Sequence, residues 1–327
     1  MRQIKYIRTV VCAALAGAAS MAGAAATDYP QRPVRMIVPF APGGASDFVG
    51  RIIQPRLTEL MAQQVVVDNR TGAAGNIGVE TAARSSPDGY TFLLGNVGTM
   101  AINPNLYLKF PVKPLRDLEP VTQLVDVPGS LVVHPSMPVK STKELVAYLK
   151  ANPGKANYGS PGGGSANRLE MEIFLGATGT TATHIPYKGG AGPAMIGLLG
   201  NEVQMMFVTF SSALTFAKQG RVRMLGVIAP ERVPAMPDVP TMRENGYDMA
   251  IGSWQGIFVP KGTPRAVIDK LFKIGQETMQ NPEVMKRMAD GGVSIVVSRS
   301  QQEFAAFVKR ESDRFAKVIK DANIETE

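Results

Sequence analysis

Two glycine-rich loops carry the residues of this sequence that are best suited to ligand chemistry. The first spans residues 39–47 and reads PFAPGGASD, and the second spans residues 158–167 and reads YGSPGGGSAN. Each follows a short extended run and precedes a predicted helix. Glycine has no Cβ, so a ligand can approach the backbone closely. Because the first N–H groups of a helix have no partner within it and lie at the positive end of its dipole, the two loops predict a paired anion site.

Catalytic chemistry has little support in the remaining residues. The only histidines, His134 and His184, lie near prolines at predicted strand ends, where a structural role is the default. The single cysteine, Cys12, excludes disulfides, and the sequence lacks both a nucleotide-binding P-loop and a G-x-S-x-G nucleophile motif. The sequence therefore favours a binding protein over an enzyme, and it predicts no metal site and no cofactor.

The N-terminal segment is typical of an export signal. Residues 1–26 begin with three basic residues, continue with an apolar run too short to span a membrane, and end in small residues. We expect cleavage near Ala26 and a periplasmic location, and a membrane anchor is the alternative. Removing three basic residues and no acids takes the formal charge from +8 to +5. The basic residues are scattered, which disfavours nucleic-acid binding.

Extended and helical patterns alternate along the rest of the chain, which predicts α/β architecture with parallel sheets covered by helices. The predicted strands are residues 34–38, 64–67, 90–94, 130–133, 156–159, 182–185, 203–208 and 222–228. The predicted helices between them are residues 46–61, 76–84, 167–175, 190–199 and 211–219.

Capping residues mark four further helix starts, and three of these lie in a more helical C-terminal part. These starts are Ser141 with Glu144, Thr263 followed by Pro264, Asn281 followed by Pro282, and Ser300 with Glu303. A stripe of apolar residues follows Ser300 at helical spacing and predicts packing.

Glycine and proline near residues 127–129 and 252–253 indicate two places where the chain changes lobe. We therefore expect one lobe from residues 27–127 plus 251–327 and a second from residues 128–250. Two crossovers would form a hinge, with a cleft between the lobes.

Several further motifs appear together in a specific order along the whole mature sequence. They are PGG at 42–44, DNRTGAAGNIG at 68–78, PDGYT at 87–91, PYKGG at 186–190, MPDVPT at 236–241 and SWQG at 253–256. In this combination the sequence resembles the periplasmic solute-binding proteins of tripartite tricarboxylate transporters, the Bug-type or TctC-like family.

The resemblance implies a fold and a function. The fold is a two-lobe, periplasmic-binding-protein-like α/β structure in which each lobe is a mainly parallel sheet flanked by helices. The function is capture of a small carboxylate in the interlobe cleft and delivery to the membrane components of a tripartite tricarboxylate-type transporter, by a monomer without a cofactor. A receptor that feeds a signalling partner and a secreted enzyme acting on a small carboxylate remain as alternatives.

The resemblance also implies a set of ligand-binding positions in the two glycine loops, in the loop after the third strand and on a far wall. They are Phe40, Ala41, Gly43, Gly44, Ala45, Ser46, Asp47, Gly95, Asn96, Thr99, Ser160, Gly162, Gly163, Gly164, Ser165, Ala166, Asn167, Tyr187, Lys188 and Thr209, and Arg168 is a further candidate that departs from the family pattern.

Three of these positions have a second interpretation. Arg168 stands where relatives usually carry histidine, and its guanidinium could pair with a distal carboxylate or face solvent. Asp47 could cap a helix instead of contacting the ligand, and Tyr187 could belong to a structural turn. The sequence leaves these alternatives open.

Overall fold

The computed structural model describes residues 29–107, 109, 110, 112–249 and 252–321. The predicted signal peptide, residues 1–26 with Cys12, lies outside the described residues. The strands are β1 (Val34–Val38), β2 (Val65–Asn69), β3 (Thr91–Asn96), β4 (Leu118–Val127), β5 (Gly129–Val133), β6 (Asn157–Ser160), β7 (Thr183–Pro186), β8 (Met205–Thr209), β9 (Arg223–Ile228), β10 (Ser253–Pro260) and β11 (Ser294–Ile295).

Helices connect these strands and cover the sheets. They are α1 (Ala45–Met61), α2 (Asn76–Ala83), α3 (Asn103–Leu106), α4 (Pro114–Asp117), α5 (Thr142–Ala151), α6 (Ala166–Thr178), α7 (Ala191–Leu199), α8 (Phe210–Lys218), α9 (Arg265–Met279), α10 (Pro282–Asp290) and α11 (Gln301–Asp321).

The strands form two sheets, one in each lobe. The first has the order β11-β4-β10-β3-β1-β2 and the second has the order β7-β6-β8-β5-β9. The α/β fold with two helix-flanked sheets is confirmed. The expectation of mainly parallel sheets is wrong, because β1 pairs in parallel with β2 and β3 whereas β10 is antiparallel to both β3 and β4.

The mixed pairing follows from the path of the chain between the lobes. Strand β4 leads out of the first sheet and β10 leads back into it, so the two neighbours run in opposite directions. In the second sheet, β5 enters and β9 leaves, and they also pair antiparallel. Ser253 pairs with Val127 at one side of the crossing and Gly129 pairs with Ile228 at the other, so the two connections lie next to each other.

Helices cover both faces of each sheet and bury its apolar side chains. In the first lobe α1, α9 and α10 pack on one face, and α2 and α11 pack on the other. The predicted stripe of α11 is part of this core, since Phe304, Val308 and Phe315 are fully buried. Burying a side chain of this kind contributes about 1.5–3 kcal/mol. Within the described ranges, no helix combines the length and apolar character required to cross a bilayer.

One predicted helix start is wrong by a residue. Helix α9 begins at Arg265, and Pro264 precedes it with an extended ψ of 138°. The hydroxyl of Thr263 donates to the Pro260 carbonyl at 2.8 Å, so it does not cap the helix. The starts at Ser141, Asn281 and Ser300 are confirmed, because each side chain accepts a hydrogen bond from the first turn of its helix.

Candidate functional site

A cavity that is partly open to solvent lies between the two lobes. The lobes touch around it. Ala41 N–H in the first lobe donates to the Gly189 carbonyl of the second at 2.7 Å. Gly164 N–H in the second lobe donates to the Tyr107 hydroxyl of the first at 3.2 Å. The structure is therefore a closed arrangement of the two lobes.

Nine of the residues predicted from the sequence line this cavity. They are Phe40, Gly44, Ala45, Ser46, Asn96, Ser165, Ala166, Asn167 and Thr209. The remaining lining residues are Val97, Gly98, Pro161, Ala191, Ser253 and Gln255.

The first wall of the cavity is the start of α1. Gly44 is the residue before the helix, and no side chain accepts a hydrogen bond from its first turn. Within the described residues, the N–H groups of Ala45 and Ser46 have no hydrogen-bond acceptor. Because both residues line the cavity, these donors and the positive end of the helix dipole lie at its surface.

The opposite wall is the start of α6. Ser165 precedes the helix, and its Oγ accepts from Arg168 N–H at 3.2 Å. The same hydroxyl donates to the Gly162 carbonyl at 2.8 Å, which fixes the glycine loop. In the described structure no group of the chain accepts from Ala166 N–H or Asn167 N–H. Two helix N-termini from different lobes therefore present main-chain donors to one cavity.

Several amides of the glycine loops are already used inside the protein. Gly43 N–H donates to Asp47 Oδ2 at 3.2 Å. Gly162 N–H donates to Ser160 Oγ at 3.1 Å, and the amides of Ala41 and Gly164 make the contacts between the lobes. These groups shape the loops, and the donors at the cavity come from the first turns of the helices.

Asp47 has a structural role in this arrangement and does not line the cavity. Its carboxylate accepts from Gly43 N–H, from Arg51 Nε at 2.9 Å and from Asn69 Nδ2 at 3.1 Å. Asn69 Nδ2 also donates to the Phe40 carbonyl at 2.8 Å. Asp47 therefore holds the first loop against β2, and it does not cap α1, which begins at Ala45 without a side-chain cap.

Arg168 is also turned away from the cavity. Its Nε lies 3.8 Å from Glu172 Oε1, and its NH1 donates to the Gly163 carbonyl at 3.4 Å. Glu172 in turn accepts a hydrogen bond from Tyr158. The guanidinium therefore fixes the second glycine loop in this closed structure, and its pairing with a distal carboxylate stays a prediction.

Tyr187, Lys188 and Gly95 are predicted positions that are not among the residues lining the cavity. Tyr187 donates to Glu202 at 2.9 Å, and its ring packs against Gly197. Lys188 is exposed. Gly95 packs against Phe258 in the sheet.

Asn96 joins the third strand to the α1 wall. Its Oδ1 accepts from Thr99 N–H at 3.0 Å, and its Nδ2 donates to Ser46 Oγ at 3.3 Å. Thr99 is fully buried and holds the turn after β3, which places Val97 and Gly98 at the cavity surface. The predicted wall after β3 therefore consists of Asn96, Val97 and Gly98.

Gln255 and Ser253 also line the cavity, although the sequence patterns did not predict them as site residues. Both belong to the SWQG motif, which is part of the family resemblance, and Ser253 also lies at the predicted second lobe crossing. Gln255 is fully buried, and within the described residues neither its Oε1 nor its Nε2 has a hydrogen-bond partner. Leaving such a buried group unpaired costs about 1–3 kcal/mol. Strand alternation next to the apolar Trp254 was the only local signal for the orientation of Gln255.

The electrostatics of the cavity come from the main chain. Among the described residues that line it, none carries a charged side chain. Burial raises the pKa of Glu170, next to the lining residue Asn167, to about 7. Asn167 Nδ2 donates to this carboxyl at 3.0 Å. Much of this buried group is therefore protonated near neutral pH, which reduces its repulsion of an anion in the cavity.

The histidines have structural contacts outside the cavity lining. His184 stacks on Tyr158 with ring centroids 4.9 Å apart, and its Nε2 lies 2.6 Å from Ser160 Oγ. Burial lowers the pKa of His184 to about 4, so it stays neutral at physiological pH. The described residues contain no group of three or more His, Cys, Asp or Glu side chains that could hold a metal ion.

Comparison with known proteins places this architecture in a family. The family model described as "Tripartite tricarboxylate transporter family receptor" matches residues 49–324. Protein BugT of Bordetella pertussis is 36% identical over 309 residues, which cover 94% of each chain.

Solved structures agree with this match. The structure of the periplasmic binding protein BugD is 36% identical, with a TM-score of 0.88 over 91% of this chain and 100% of that one. MatC from Rhodopseudomonas palustris, solved with bound malate, is 30% identical, with a TM-score of 0.83 over 89% of this chain and 100% of that one. The chain therefore belongs to the tripartite tricarboxylate transporter receptor family, as a Bug-type, TctC-like solute-binding protein.

Proposed function

We propose that this protein is a periplasmic receptor that binds a small organic carboxylate between its lobes and delivers it to the membrane components of a tripartite tricarboxylate-type transporter. The observation that carries the proposal is the pair of opposed helix starts, α1 and α6, at one cavity. Their N–H groups can donate charge-assisted hydrogen bonds to a carboxylate, which are stronger than those between neutral groups. The bound malate in MatC supports the same ligand class.

Four main-chain donors form the center of the proposed carboxylate site. They are the N–H groups of Ala45, Ser46, Ala166 and Asn167, two from each lobe. A carboxylate that accepts from both pairs would connect the lobes, so binding would stabilise the closed arrangement. Phe40, Asn96 and Thr209 would complete the wall of the site.

The lobe bounds of this receptor follow from the same arrangement. We assign residues 27–127 plus 251–327 to one lobe and residues 128–250 to the other, supported by the crossings next to Val127 and Ser253. The receptor acts as an exported monomer and not as an enzyme. Within the described residues the cavity lining carries no charged side chain, which supports a binding role over a catalytic one, since general acid–base catalysis requires a titratable group within reach of the substrate.

A thermal-shift screen tests the proposal. The exported chain, without residues 1–26, is heated with mono- and dicarboxylates and with neutral amides, alcohols and sugars of matched size. A carboxylate at 100 times its Kd should raise the free energy of unfolding by about 2.7 kcal/mol and the melting temperature accordingly. If every carboxylate fails while a neutral sugar raises the melting temperature, the proposed ligand class is wrong.

A further inference from the structure

The carboxamide of Gln255 is a polar group at the cavity that the chain itself leaves without a partner. The side chain is fully buried and lines the cavity, and among the described residues neither its Oε1 nor its Nε2 is hydrogen bonded. A carboxamide offers two donors and one acceptor. Since buried polar side chains in folded proteins are nearly always paired, the partner of this one is expected from a bound molecule.

The position of Gln255 is set by strand pairing. It lies directly opposite Asn96 in the antiparallel pair of β10 and β3, so both side chains project from the same face of the sheet. The preceding residue, Trp254, projects from the other face and packs on Phe304 and Phe307. Gln255 therefore lies on the face that carries α1, next to the proposed carboxylate site.

Its neighbour Asn96 shows the contrast between a paired and an unpaired amide. Asn96 Oδ1 accepts from Thr99 N–H, and its Nδ2 donates to Ser46 Oγ. Both ends of that amide are satisfied within the protein. Gln255 has no such partners, although it is more deeply buried, which indicates a recognition role rather than a structural one.

The chemistry of the amide restricts the group that can pair with it. Whichever way the carboxamide is turned, one buried atom donates and the other accepts. A carboxylate can only accept, so it would leave Oε1 unpaired, and a methyl group would leave both atoms unpaired. A primary carboxamide pairs with both atoms through two antiparallel hydrogen bonds.

The charge of the cavity agrees with this restriction. None of the described lining residues is cationic, and the guanidinium of Arg168 is directed at Glu172 and at the Gly163 carbonyl. A second carboxylate at the Gln255 end would therefore be buried without a cationic side chain, which is unfavourable.

We propose that Gln255 selects organic acids whose far end carries a neutral group that both donates and accepts hydrogen bonds, a primary carboxamide above all. This inference rests on the proposed function, because the carboxylate of the same molecule is held by the starts of α1 and α6. Gln255 is then a specificity-determining residue of the receptor.

Calorimetric titration of the exported chain with matched acids tests this proposal. The probes are linear acids with three to six carbons, each with a carboxamide, a carboxylate or a methyl group at the far end. At the best chain length, the amide-terminated acid should bind at least tenfold tighter than the matched diacid and the matched methyl acid. The reason is that only the amide pairs with both atoms of Gln255.

Substitution of Gln255 is the second part of this test. Gln255→Leu and Gln255→Met keep the volume of the side chain and remove both polar atoms. In either variant the preference for the amide over the methyl acid should disappear. Gln54→Leu is the control, since Gln54 is a half-buried glutamine that bonds Thr58 and the Val65 carbonyl away from the cavity lining.

The outcomes separate this inference from the proposed function. Tightest binding of the diacid by the unmodified protein at every length would overturn the role of Gln255 and leave the carboxylate receptor intact. An amide preference that persists in both Gln255 variants would also overturn it. Absence of binding by every acid in the series would contradict the proposed function itself.

Discussion

Glu170 is a fully buried carboxyl next to a residue of the cavity wall. Asn167 Nδ2 donates to its Oε2, and a Cβ on Gly129 would lie 2.7 Å from its Oε1. Desolvation by burial raises its pKa to about 7. The folded protein therefore holds a proton on Glu170 at pH values where the unfolded chain has already lost it.

This proton makes stability depend on pH in a predictable direction. The free energy of unfolding should fall as pH rises from about 4.5 to about 7, because the unfolded state binds fewer protons than the folded state there. Glu170→Gln removes this dependence. The variant should match the unmodified protein near pH 4.5 and exceed it by roughly 3 kcal/mol at pH 8.

Urea denaturation at a series of pH values measures this difference. The lowered pKa of His184 makes stability rise with pH, which is the opposite direction. Because His184 is present in both proteins, its contribution cancels in the difference between their unfolding free energies. A difference in unfolding free energy that stays constant from pH 4.5 to pH 8 would show that Glu170 does not titrate with a raised pKa.

Single residues also show which parts of the site could be predicted from the sequence and which could not. The cavity residues Ser46 and Ser165 were predicted because a glycine loop followed by a helix start is a local pattern. The direction of the Arg168 guanidinium was left open, since it depends on Glu172, one helical turn further on. Gln255 was missed because its place depends on the pairing of β10 with β3, which joins residues far apart in the sequence.

At the scale of elements, two helices that start with the same cap have different surroundings. Ser165 accepts from the third residue of α6, and Ser141 accepts from the third residue of α5, both at 3.2 Å. Ser165 also lines the cavity and ties its loop to the Gly162 carbonyl. Ser141 is not among the cavity-lining residues.

These two caps form a matched pair for mutation. Ser165→Ala and Ser141→Ala should each lower the free energy of unfolding by about 1 kcal/mol, because each removes one cap. Only Ser165→Ala should also raise the Kd of the tightest-binding carboxylate, by about tenfold, since it loosens the loop that orients the α6 donors. Urea denaturation and calorimetric titration measure the two effects. Equal Kd values for the two variants would argue against α6 as part of the site.

The elements themselves were predictable where the pattern was local. Capping residues predicted the helices that begin after Ser141 and Asn281. Hydrophobic periodicity predicted the alternation of β1, α1 and β2. The strands β4 and β10 were not, because Pro120 and Gly256 interrupt their patterns. In the fold, irregular pairing of β10 with β4 accommodates these residues. The register shifts once between Gln255 and Gly256 and again between Ile257 and Phe258.

At the scale of the whole molecule, the closed arrangement requires a glycine at position 164. A Cβ there would overlap the Asn103 side chain and lie 2.7 Å from the Tyr107 ring, and both of these residues belong to the other lobe. Once the lobes separate, a Cβ at position 164 would contact neither Asn103 nor Tyr107. Gly164 is therefore needed for closure rather than for folding.

Gly164→Ala should accordingly weaken binding without unfolding the lobes. We expect at least a tenfold higher Kd for the carboxylate, and a larger radius of gyration than that of the unmodified protein at saturating ligand. Calorimetry and small-angle X-ray scattering measure these quantities.

Gly176→Ala is the control, because nothing lies within 4 Å of a Cβ at that position in α6. It should keep the Kd and stabilise the protein by up to about 1 kcal/mol, as expected for glycine to alanine in a helix. A Kd for Gly164→Ala equal to that of this control would show that closure tolerates a methyl group there.

The two connections between the sheets lie side by side, next to the pairs Val127–Ser253 and Gly129–Ile228. Two adjacent linkers permit rotation about one axis and resist torsion, so the separation of the lobes is described by a single angle. One spectroscopic distance then reports the occupied fraction of the protein. Because the sequence after residue 26 contains no cysteine, dyes on Ile77→Cys and Ile196→Cys, two exposed positions in different lobes, would convert this protein into a fluorescent sensor for its own solute.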